Sequence, residues 1–480
     1  MNKLRNIALL LAVLVSFQAC TEVLEDVEPS TEITPELGLS DPGAVAAVRA
    51  NMYSRLHGFA FTTDLMLASE SLGDNLASRD GSSRFRGQFQ NQVRAGVNDA
   101  AYGAAYLLIN DANLLAEGIP DGVITDALRN QYRGEALVLR AFAHWVLVRG
   151  FGYEPGVEVN GFNLGVIIRN EPVLGLSDAD FRARNTNAEV YAQMNADLAE
   201  AAGLLTNGGS RNFVTQAFAQ GLHARINLYE GNFNGANTNA TAALAGTSAA
   251  LATTAQVATM FDETAFAVNP EAIFETLLAN PAAEGQGVNS SLNAYTASQW
   301  VAQIPTPSVL ALYDAADARN AWFSACDDNG TGPDTDDPAQ AIAGCVGVNG
   351  GIELNKWNGE LGQFADNIPL MRVSELLLIQ SEARIRGSIA DPLGPINTLR
   401  AQRGIAALGA VTLDDVLEER RRELIAEGHR FSALKRLGRT ITKDPALPTP
   451  DVPFNDFRIL NDIPAGDIGD NALLVQNPGY

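Results

Sequence analysis

Cysteine, histidine and tryptophan are scarce in this 480-residue chain, which contains 3, 4 and 4 of them. The histidines are dispersed and no CxxC pair accompanies them, so the spacing of a zinc site is missing. The patterns GxSxG, HExxH, GxGxxG and the P-loop do not occur either. These absences argue against the common hydrolases, zinc proteases and nucleotide-binding enzymes. We therefore expect no catalytic residues and no bound transition metal.

Basic residues are also few, because 33 lysines and arginines stand against 56 acidic residues and give a net charge of −23. Such a surface repels phosphate backbones, which argues against nucleic-acid binding. It equally disfavours adhesion to anionic lipids through basic patches. Uncharged ligands such as sugars meet no such repulsion. Solubility alone explains the charge equally well, so the charge by itself selects no ligand.

Long hydrophobic runs are confined to the N-terminus, where Lys3 and Arg5 precede an apolar run over residues 7–17. That run is too short to cross a bilayer and is typical of a secretory signal. Ala19 directly before Cys20 matches the lipoprotein signal, in which the cysteine is acylated. We expect a protein anchored by lipid at Cys20. The alternative is an ordinary cleaved signal with an incidental cysteine.

The two remaining cysteines, Cys326 and Cys345, are predicted to form a disulfide, since exported proteins keep such bonds. Closing a loop of this size stabilises by about 3 kcal/mol in the chain-entropy model. The acidic loop that begins at Asp327 resembles a calcium loop, but its twelfth position is Pro338 instead of glutamate. Calcium is thus left open as a cofactor, and no other cofactor is expected.

Alanine is abundant and aromatics make up only 7%, which favours a mainly α fold. The clearest helix begins with a capping box of Thr186 and Glu189. The helix–turn–helix around Gly231 resembles a tetratricopeptide unit. Helices are predicted to begin near residue 41 and to cover residues 98–116, 132–150, 186–205, 215–229, 233–245, 366–386, 392–403 and 413–427.

Composition sets apart a signal peptide and an acidic tether, and length alone would allow two to four domains in the rest. The family resemblance given below implies that the rest is one globular domain. The predicted bounds are 1–19, 20–40 and 41–480. Within the domain, a helical-repeat scaffold is expected mainly over 41–56, 95–245 and 366–440, and loop-rich regions over 57–94 and 246–365. The Glu- and Arg-dense run over residues 418–430 could be an acid–base site, but i,i+4 pairs such as Glu418 and Arg422 favour a structural role.

Sugar recognition needs flat aromatic faces for C–H surfaces and planar polar groups for hydroxyls. The irregular regions contain both kinds, although a single aromatic residue is more often part of a core. Asp74 could equally cap a helix. The candidate ligand residues are Asp74, Asn75, Arg84, Phe85, Phe89, Tyr295, Trp300 and Trp322.

Eight segments, in order behind a lipoprotein signal, resemble the SusD/RagB family. GEALVLRAFAHWVLVRGFG is similar to the family's long buried helix, and IPAGDIGDNALLVQNPGY to its C-terminal signature. The match covers nearly the whole chain. The eight segments are residues 134–152, 163–172, 188–205, 305–319, 368–387, 396–404, 417–438 and 463–480.

The resemblance implies a SusD-like scaffold of four tetratricopeptide-like helix pairs and a loop-rich region that carries the ligand site. Members of the family form a lid on a SusC-like TonB-dependent transporter and deliver oligosaccharides, other glycans or sometimes peptides. The acidic residues after Cys20 resemble a surface-export signal, which implies an outer-membrane lipoprotein facing the exterior.

The expected function is therefore capture of an oligomeric nutrient, first of all a glycan, without turnover. Three alternatives stay open: the same architecture binding peptides, a helical-repeat scaffold that acts only through protein–protein contacts, and a surface hydrolase. The hydrolase would need two carboxylates facing each other across a cleft.

Overall fold

The structure is a computed structural model that describes most of the chain. The described residues are 39–79, 82, 84–91, 99–175, 177–280, 287–297, 301–326, 345–357, 359, 361–362 and 364–480. No helix within these ranges combines the length and the apolar character that crossing a membrane requires.

Helices dominate the fold, as the sequence predicts. Those described are α1 (Pro42–Ser54), α2 (Ser69–Leu72), α3 (Arg86–Phe89), α4 (Asp99–Glu117), α5 (Asp126–Phe151), α6 (Asn187–Leu204), α7 (Gln216–Glu230), α8 (Phe233–Gly246), α9 (Leu292–Thr296), α10 (Pro307–Leu310), α11 (Val373–Arg386), α12 (Leu393–Gln402), α13 (Leu413–Glu423), α14 (Arg430–Lys435) and α15 (Ala465–Asp470). A π-helical turn covers Asp64–Ala68, directly before α2.

The long helices pack against one another largely in chain order. Helix α4 packs on α1 and α5, and the series continues through α6, α7 and α8 to α11, which also contacts α12 and α13. Helix α5 lies in the middle of this stack, and its residues 134–148 are all buried. A helix that is apolar nearly all round has to be covered on most sides, which explains this central position.

His144 belongs to that buried stretch of α5 and is part of the core. Its Nδ1 lies 3.0 Å from the carbonyl of Arg140, and its Nε2 accepts the backbone N–H of Arg169 at 3.3 Å. Burial, together with the charge of Arg140, lowers the pKa of His144 to about 3. The ring therefore stays neutral and serves packing instead of proton transfer.

Short antiparallel strand pairs join the loop-rich regions to each other and to the scaffold. The pairs are β1 (Leu76–Ser78) with β3 (Gln303–Pro305), β2 (Ala272–Glu275) with β6 (Pro369–Arg372), and β4 (Phe323–Ala325) with β5 (Ile352–Leu354). Cys326, at the end of β4, forms a disulfide with Cys345, with 6.6 Å between their Cα atoms.

Two predicted helices are shorter in the structure. The helix predicted from residue 366 begins at Val373, because the four residues before it form β6. The helix predicted to reach residue 427 ends at Glu423, where the chain turns and Glu427 reaches Arg372 at 2.6 Å. Local periodicity did not predict these two helix boundaries, since both depend on contacts with residues distant in sequence.

An ion-pair network lies inside the junction between the scaffold and the loop-rich region. Glu423 on α13 accepts hydrogen bonds from Arg372 at 2.9 Å and from Arg403 at 2.8 Å. Glu271 pairs with the same two arginines, at 2.7 and 2.6 Å. These four side chains are fully buried. The network also includes Arg319, Asp317, Glu419, Glu427 and Lys356. The acidic and basic run on α13 thus builds the core.

Candidate functional site

Three of the predicted ligand residues come together in the structure. The ring of Phe85 meets Tyr295 edge to face, with centroids 5.5 Å apart, and the guanidinium of Arg84 lies 5.5 Å from the Tyr295 centroid. Arg84 is exposed, Phe85 is half-buried and Tyr295 is buried below them. We call this group the Arg84–Phe85–Tyr295 cluster. It offers a cation and an aromatic edge at the surface.

The strand pair β1–β3 fixes the cluster in place. The carbonyl of Arg84 accepts hydrogen bonds from Ser78 on β1 and from Gln303 on β3, both at 3.1 Å. The next residue, Phe85, has φ of 51°, in the left-handed region that a side chain with Cβ rarely adopts. Such strain persists only where surrounding contacts hold it, and it is concentrated at functional sites.

Hydrogen bonds link the Tyr295 hydroxyl to Thr63, which lies one helical turn after a second aromatic residue, Phe59. The Tyr295 hydroxyl lies 3.4 Å from Oδ1 of Asn289, whose carbonyl accepts the Thr63 hydroxyl at 2.6 Å. Phe59 lies one turn before Thr63 and is 44% exposed. Phe59 is therefore a further candidate ligand residue, which the sequence analysis did not predict. Its exposure depends on tertiary packing and leaves no local sequence signal.

Asp64 is a half-buried residue near Tyr295 whose carboxyl points into the interior. This carboxyl forms no hydrogen bond or ion pair with any residue that the structure describes, and desolvation raises its pKa to about 7. It borders a cavity of about 50 Å³, on which Ser69 and Ser432 also lie with unpartnered hydroxyls. The cavity is otherwise lined mainly by apolar side chains, and it is large enough for a water molecule that these three polar groups could hold. An aspartate inside the apolar run FAFTTDLMLA was the available sequence signal.

Asp74 and Asn75 are corrections to the predicted site, because both belong to the interior. The Asp74 carboxylate accepts two hydrogen bonds from Arg430, at 2.5 and 2.9 Å. Asn75 donates to Glu70 at 2.5 Å and accepts from Arg421 at 2.7 Å. Burial acts to raise the pKa of Asp74, but the charges of Arg430 and Arg421 outweigh it and lower the pKa. These groups stabilise the fold and do not face a ligand.

Phe89 and Trp322 are also corrections, because burial leaves neither ring a face for a ligand. Trp322 is 1% exposed, and its indole N–H donates to the carbonyl of Val257 at 2.9 Å. Phe89 is buried as well. Trp300, Cys20 and the loop that begins at Asp327 lie outside the described residues. Within the described part of the chain, no group of acidic, histidine and cysteine side chains is arranged to hold a metal ion.

Two family descriptions match long stretches of the sequence. The family described as "Starch-binding associating with outer membrane" matches residues 26–228, and the "SusD family" matches residues 347–480. The chain belongs to the SusD/RagB family. The two matches include the helices α1–α6 at one end and α11–α15 at the other. The family that the sequence resemblance predicted is confirmed.

This SusD/RagB chain is similar to characterised relatives over parts or all of its length. A SusD-like protein of Formosa agariphila is 24% identical, with all of both chains covered. The starch-binding protein SusD of Bacteroides thetaiotaomicron is 32% identical over 149 residues, which are 28% of this chain and 27% of that protein. A crystal structure of a SusD superfamily protein from the same Bacteroides species has a TM-score of 0.80 at 23% identity, covering 91% of this chain and 100% of that one. The predicted mainly α, SusD-like fold is confirmed.

Proposed function

We propose that this chain is a surface lipoprotein that binds a glycan through the Arg84–Phe85–Tyr295 cluster and passes it to a SusC-like TonB-dependent transporter. The observation that carries the proposal is that the exposed Arg84 and the half-buried Phe85 both contact the buried ring of Tyr295, each at 5.5 Å from its centroid. The relative SusD of Bacteroides thetaiotaomicron is a starch-binding protein, which supports a carbohydrate ligand.

The cluster has the chemistry that a neutral oligosaccharide requires. A guanidinium presents N–H donors for hydroxyl and ring oxygens, and the partly exposed ring of Phe85 can pack on the C–H surface of a sugar. Tyr295 is buried and supports these two residues from below. Phe59, near the cluster through Asn289 and Thr63, would extend the apolar surface along an oligomer. A neutral ligand also escapes repulsion by the net charge of −23.

The test measures glycan affinity by calorimetry and by electrophoresis through gels that contain an α-glucan or a β-glucan. We expect Phe85→Ala to weaken binding about tenfold, the loss expected for one buried aromatic contact. Phe454→Ala is the matched control, because this half-buried ring meets Tyr153 edge to face at 5.7 Å. Equal losses in the two variants, or no binding of any glycan by the parent protein, would contradict the proposal.

The same samples test the absence of turnover. After long incubation with the glycan that binds best, chromatography should recover it unshortened. Release of shorter products by the purified protein, if abolished together with binding in Phe85→Ala, would show a hydrolase at this cluster and overturn the proposal of a passive binder.

The anchor and the partner need separate experiments. Metabolic labelling with a fatty acid should modify the protein and fail for Cys20→Ala, which should then be released from the membrane fraction. Co-purification from outer membranes should recover a TonB-dependent barrel with the parent protein. A parent protein that carries no lipid, or that leaves the membrane without detergent, would contradict the proposed anchor.

A further inference from the structure

A small buried cavity lies where α13 and α14 meet the segment that leads into β1. Its volume is about 10 Å³, the space that one water-sized particle occupies. Its polar lining consists of Asn75, Arg420, Arg421, His429 and Arg430, and leucine and alanine side chains complete it. Among the described residues that line this cavity, three are arginines and none carries a carboxylate. The cavity is separate from the Arg84–Phe85–Tyr295 cluster, and the proposed function does not use it.

Arg420 on α13 is the least satisfied of these groups. It is only 4% exposed, and its Nε, Nη1 and Nη2 atoms form no hydrogen bond with any residue that the structure describes. A guanidinium carries five N–H donors and keeps its charge in proteins. Buried polar groups are nearly always paired, because an unpaired donor loses its hydration without compensation. Arg420 therefore requires a further acceptor inside the protein.

The carboxylates that act on Arg420 are already paired with other arginines. Burial and the charge of Arg436 lower the pKa of Arg420, although Glu375 and Glu382 act to raise it. Glu375 accepts two hydrogen bonds from Arg225, at 2.8 and 2.6 Å. Both oxygens of Glu382 accept from Arg436 in the same way. These two carboxylates balance Arg225 and Arg436, so the charge of Arg420 stays uncompensated.

The other two arginines of the lining use the remaining carboxylates nearby. Arg430 and Arg421 share Asp74, at 2.5 and 3.4 Å. Glu70 accepts the backbone N–H groups of His429 and Arg430, at 3.0 and 3.2 Å. Asp74 and Glu70 together balance at most Arg421 and Arg430. No negative charge from this side of the cavity is left for Arg420.

His429 lines the cavity without adding a charge. Burial and the neighbouring arginines hold its pKa well below the ordinary value, so the ring is neutral. Its Nδ1 atom lies 3.9 Å from Glu375 and has no hydrogen-bond partner among the described residues. Glu427, which also acts on His429, is engaged by Arg372 and Lys356 at 2.6 and 2.5 Å. The lining therefore combines unpaired donors with an excess of positive charge.

We propose that this cavity binds one monatomic anion of the size of chloride. The unpaired N–H groups of Arg420 donate to the ion, and its charge balances the guanidinium. A water molecule could accept the same hydrogen bonds, but it would leave the buried charge uncompensated. Anions with several oxygen atoms exceed a volume of about 10 Å³. The bound ion stabilises the contact of Asn75, directly before β1, with α13 and α14.

The first test is thermal unfolding of the purified full chain while sodium gluconate is exchanged for sodium chloride. Gluconate is too large for the cavity, and a constant total of about 0.3 M salt keeps the screening of surface charges unchanged. A ligand that binds only the folded state raises the midpoint of unfolding. We expect the exchange to raise the midpoint of the parent protein by about 1–3 °C. An unchanged midpoint would overturn the proposal.

Two variants assign this rise to the cavity. Arg420→Met removes the donors and keeps most of the side-chain volume. It should abolish the rise, and its midpoint in gluconate should equal or exceed that of the parent protein, because an uncompensated buried charge is gone. Arg439→Met is the matched control, since the Arg439 side chain is 40% exposed and pairs with Asp414 at the surface. It should keep the full rise. A full rise in Arg420→Met would contradict the site.

Crystals of the parent protein soaked in sodium bromide give a test that needs no variant. Bromide is a close substitute for chloride and scatters anomalously, so one anomalous peak is expected beside the guanidinium of Arg420. Ordinary water density at this position, in crystals that show bromide elsewhere on the surface, would overturn the proposal. Neither experiment involves a glycan, so its outcome is independent of the proposed function.

Discussion

The buried ion-pair network and the Arg84–Phe85–Tyr295 cluster are both built around arginine, yet their surroundings differ. Arg372 is fully buried and pairs with Glu271, Glu423 and Glu427. Arg84 is exposed and lies 5.5 Å from the centroid of the Tyr295 ring. Removing a buried partner leaves a charge in low dielectric, whereas an exposed guanidinium stays in contact with water, where a ligand can reach it. Burial, more than residue type, separates structural charges from candidate ligand-facing ones.

Asp64 and Asp74 repeat this contrast within one region of the chain. Both carboxyls are desolvated, but Asp74 is paired with Arg430 and Arg421, which lower its pKa despite burial. Among the residues that the structure describes, Asp64 has no such partner, and desolvation raises its pKa to about 7. A carboxyl of the first kind holds the fold. One of the second kind can exchange a proton near neutral pH and is a better candidate for function.

The largest expected effect is loss of a network carboxylate. Glu423→Gln should lower the free energy of unfolding by about 3–5 kcal/mol, because Arg372 and Arg403 remain buried with less compensating charge. Urea denaturation followed by circular dichroism measures it. Glu418→Gln is the control on the same helix, since the Glu418 side chain is 49% exposed and pairs with the neighbouring Arg422. It should cost less than about 0.5 kcal/mol. Comparable losses of unfolding free energy in the two variants would contradict the contrast between buried and exposed charges.

A smaller effect is expected for Asp74, whose arginine partners keep some contact with water. Asp74→Asn should destabilise by about 2–3 kcal/mol, while glycan affinity at temperatures where the variant is folded stays unchanged. The lowered pKa means that the stabilisation by Asp74 is present above the unfolded pKa and is lost as pH falls through the folded one. The difference from the parent protein should therefore shrink below about pH 4. Glycan binding lost at full folding would restore Asp74 as a ligand residue.

Local signals in the sequence predicted the scaffold well. The capping box over Thr186 and Glu189 exists, with Glu189 accepting the N–H of Thr186 at 2.8 Å and α6 beginning at the next residue. The continuous apolar pattern of α5 predicted its burial. Capping and periodicity act within a few residues, so a single sequence contains them completely.

The site was predicted only in part, because its decisive contacts connect distant residues. Asp74 and Arg430 are 356 positions apart, and nothing near Asp74 marks it as paired. Phe85 adopts a left-handed backbone conformation, but it is neither a glycine nor an asparagine, the residues from which such a conformation is usually predicted. The side-chain chemistry of Arg84, Phe85 and Tyr295 predicts them as candidate ligand residues. That these three of the eight candidates contact one another depends on the tertiary structure.

Asp64 should make stability depend on pH in the opposite sense to Asp74. With a folded pKa near 7, above the unfolded value of 3.8, the folded protein holds a proton that the unfolded chain has released. Stability therefore falls as pH rises from about 4 to 7 and levels off above. Asp64→Asn should reduce this slope by up to about 1 kcal/mol per pH unit, measured by thermal unfolding across that range. An unchanged slope would show that Asp64 is already ionised in the folded protein.

The smallest expected effect tests how far the ligand-facing region extends beyond the cluster. Phe59 is exposed and lies one helical turn from Thr63. The Thr63 hydroxyl donates to the carbonyl of Asn289, and the side chain of Asn289 contacts the Tyr295 hydroxyl of the cluster. Phe59→Ala should weaken glycan binding about threefold for a long oligomer and less for a disaccharide, because only a long ligand would reach both aromatic groups. Phe213→Ala is the control, since Phe213 is 38% exposed but packs on Tyr53 of the scaffold. A loss independent of oligomer length would confine the ligand to the cluster and make Phe59 part of its support.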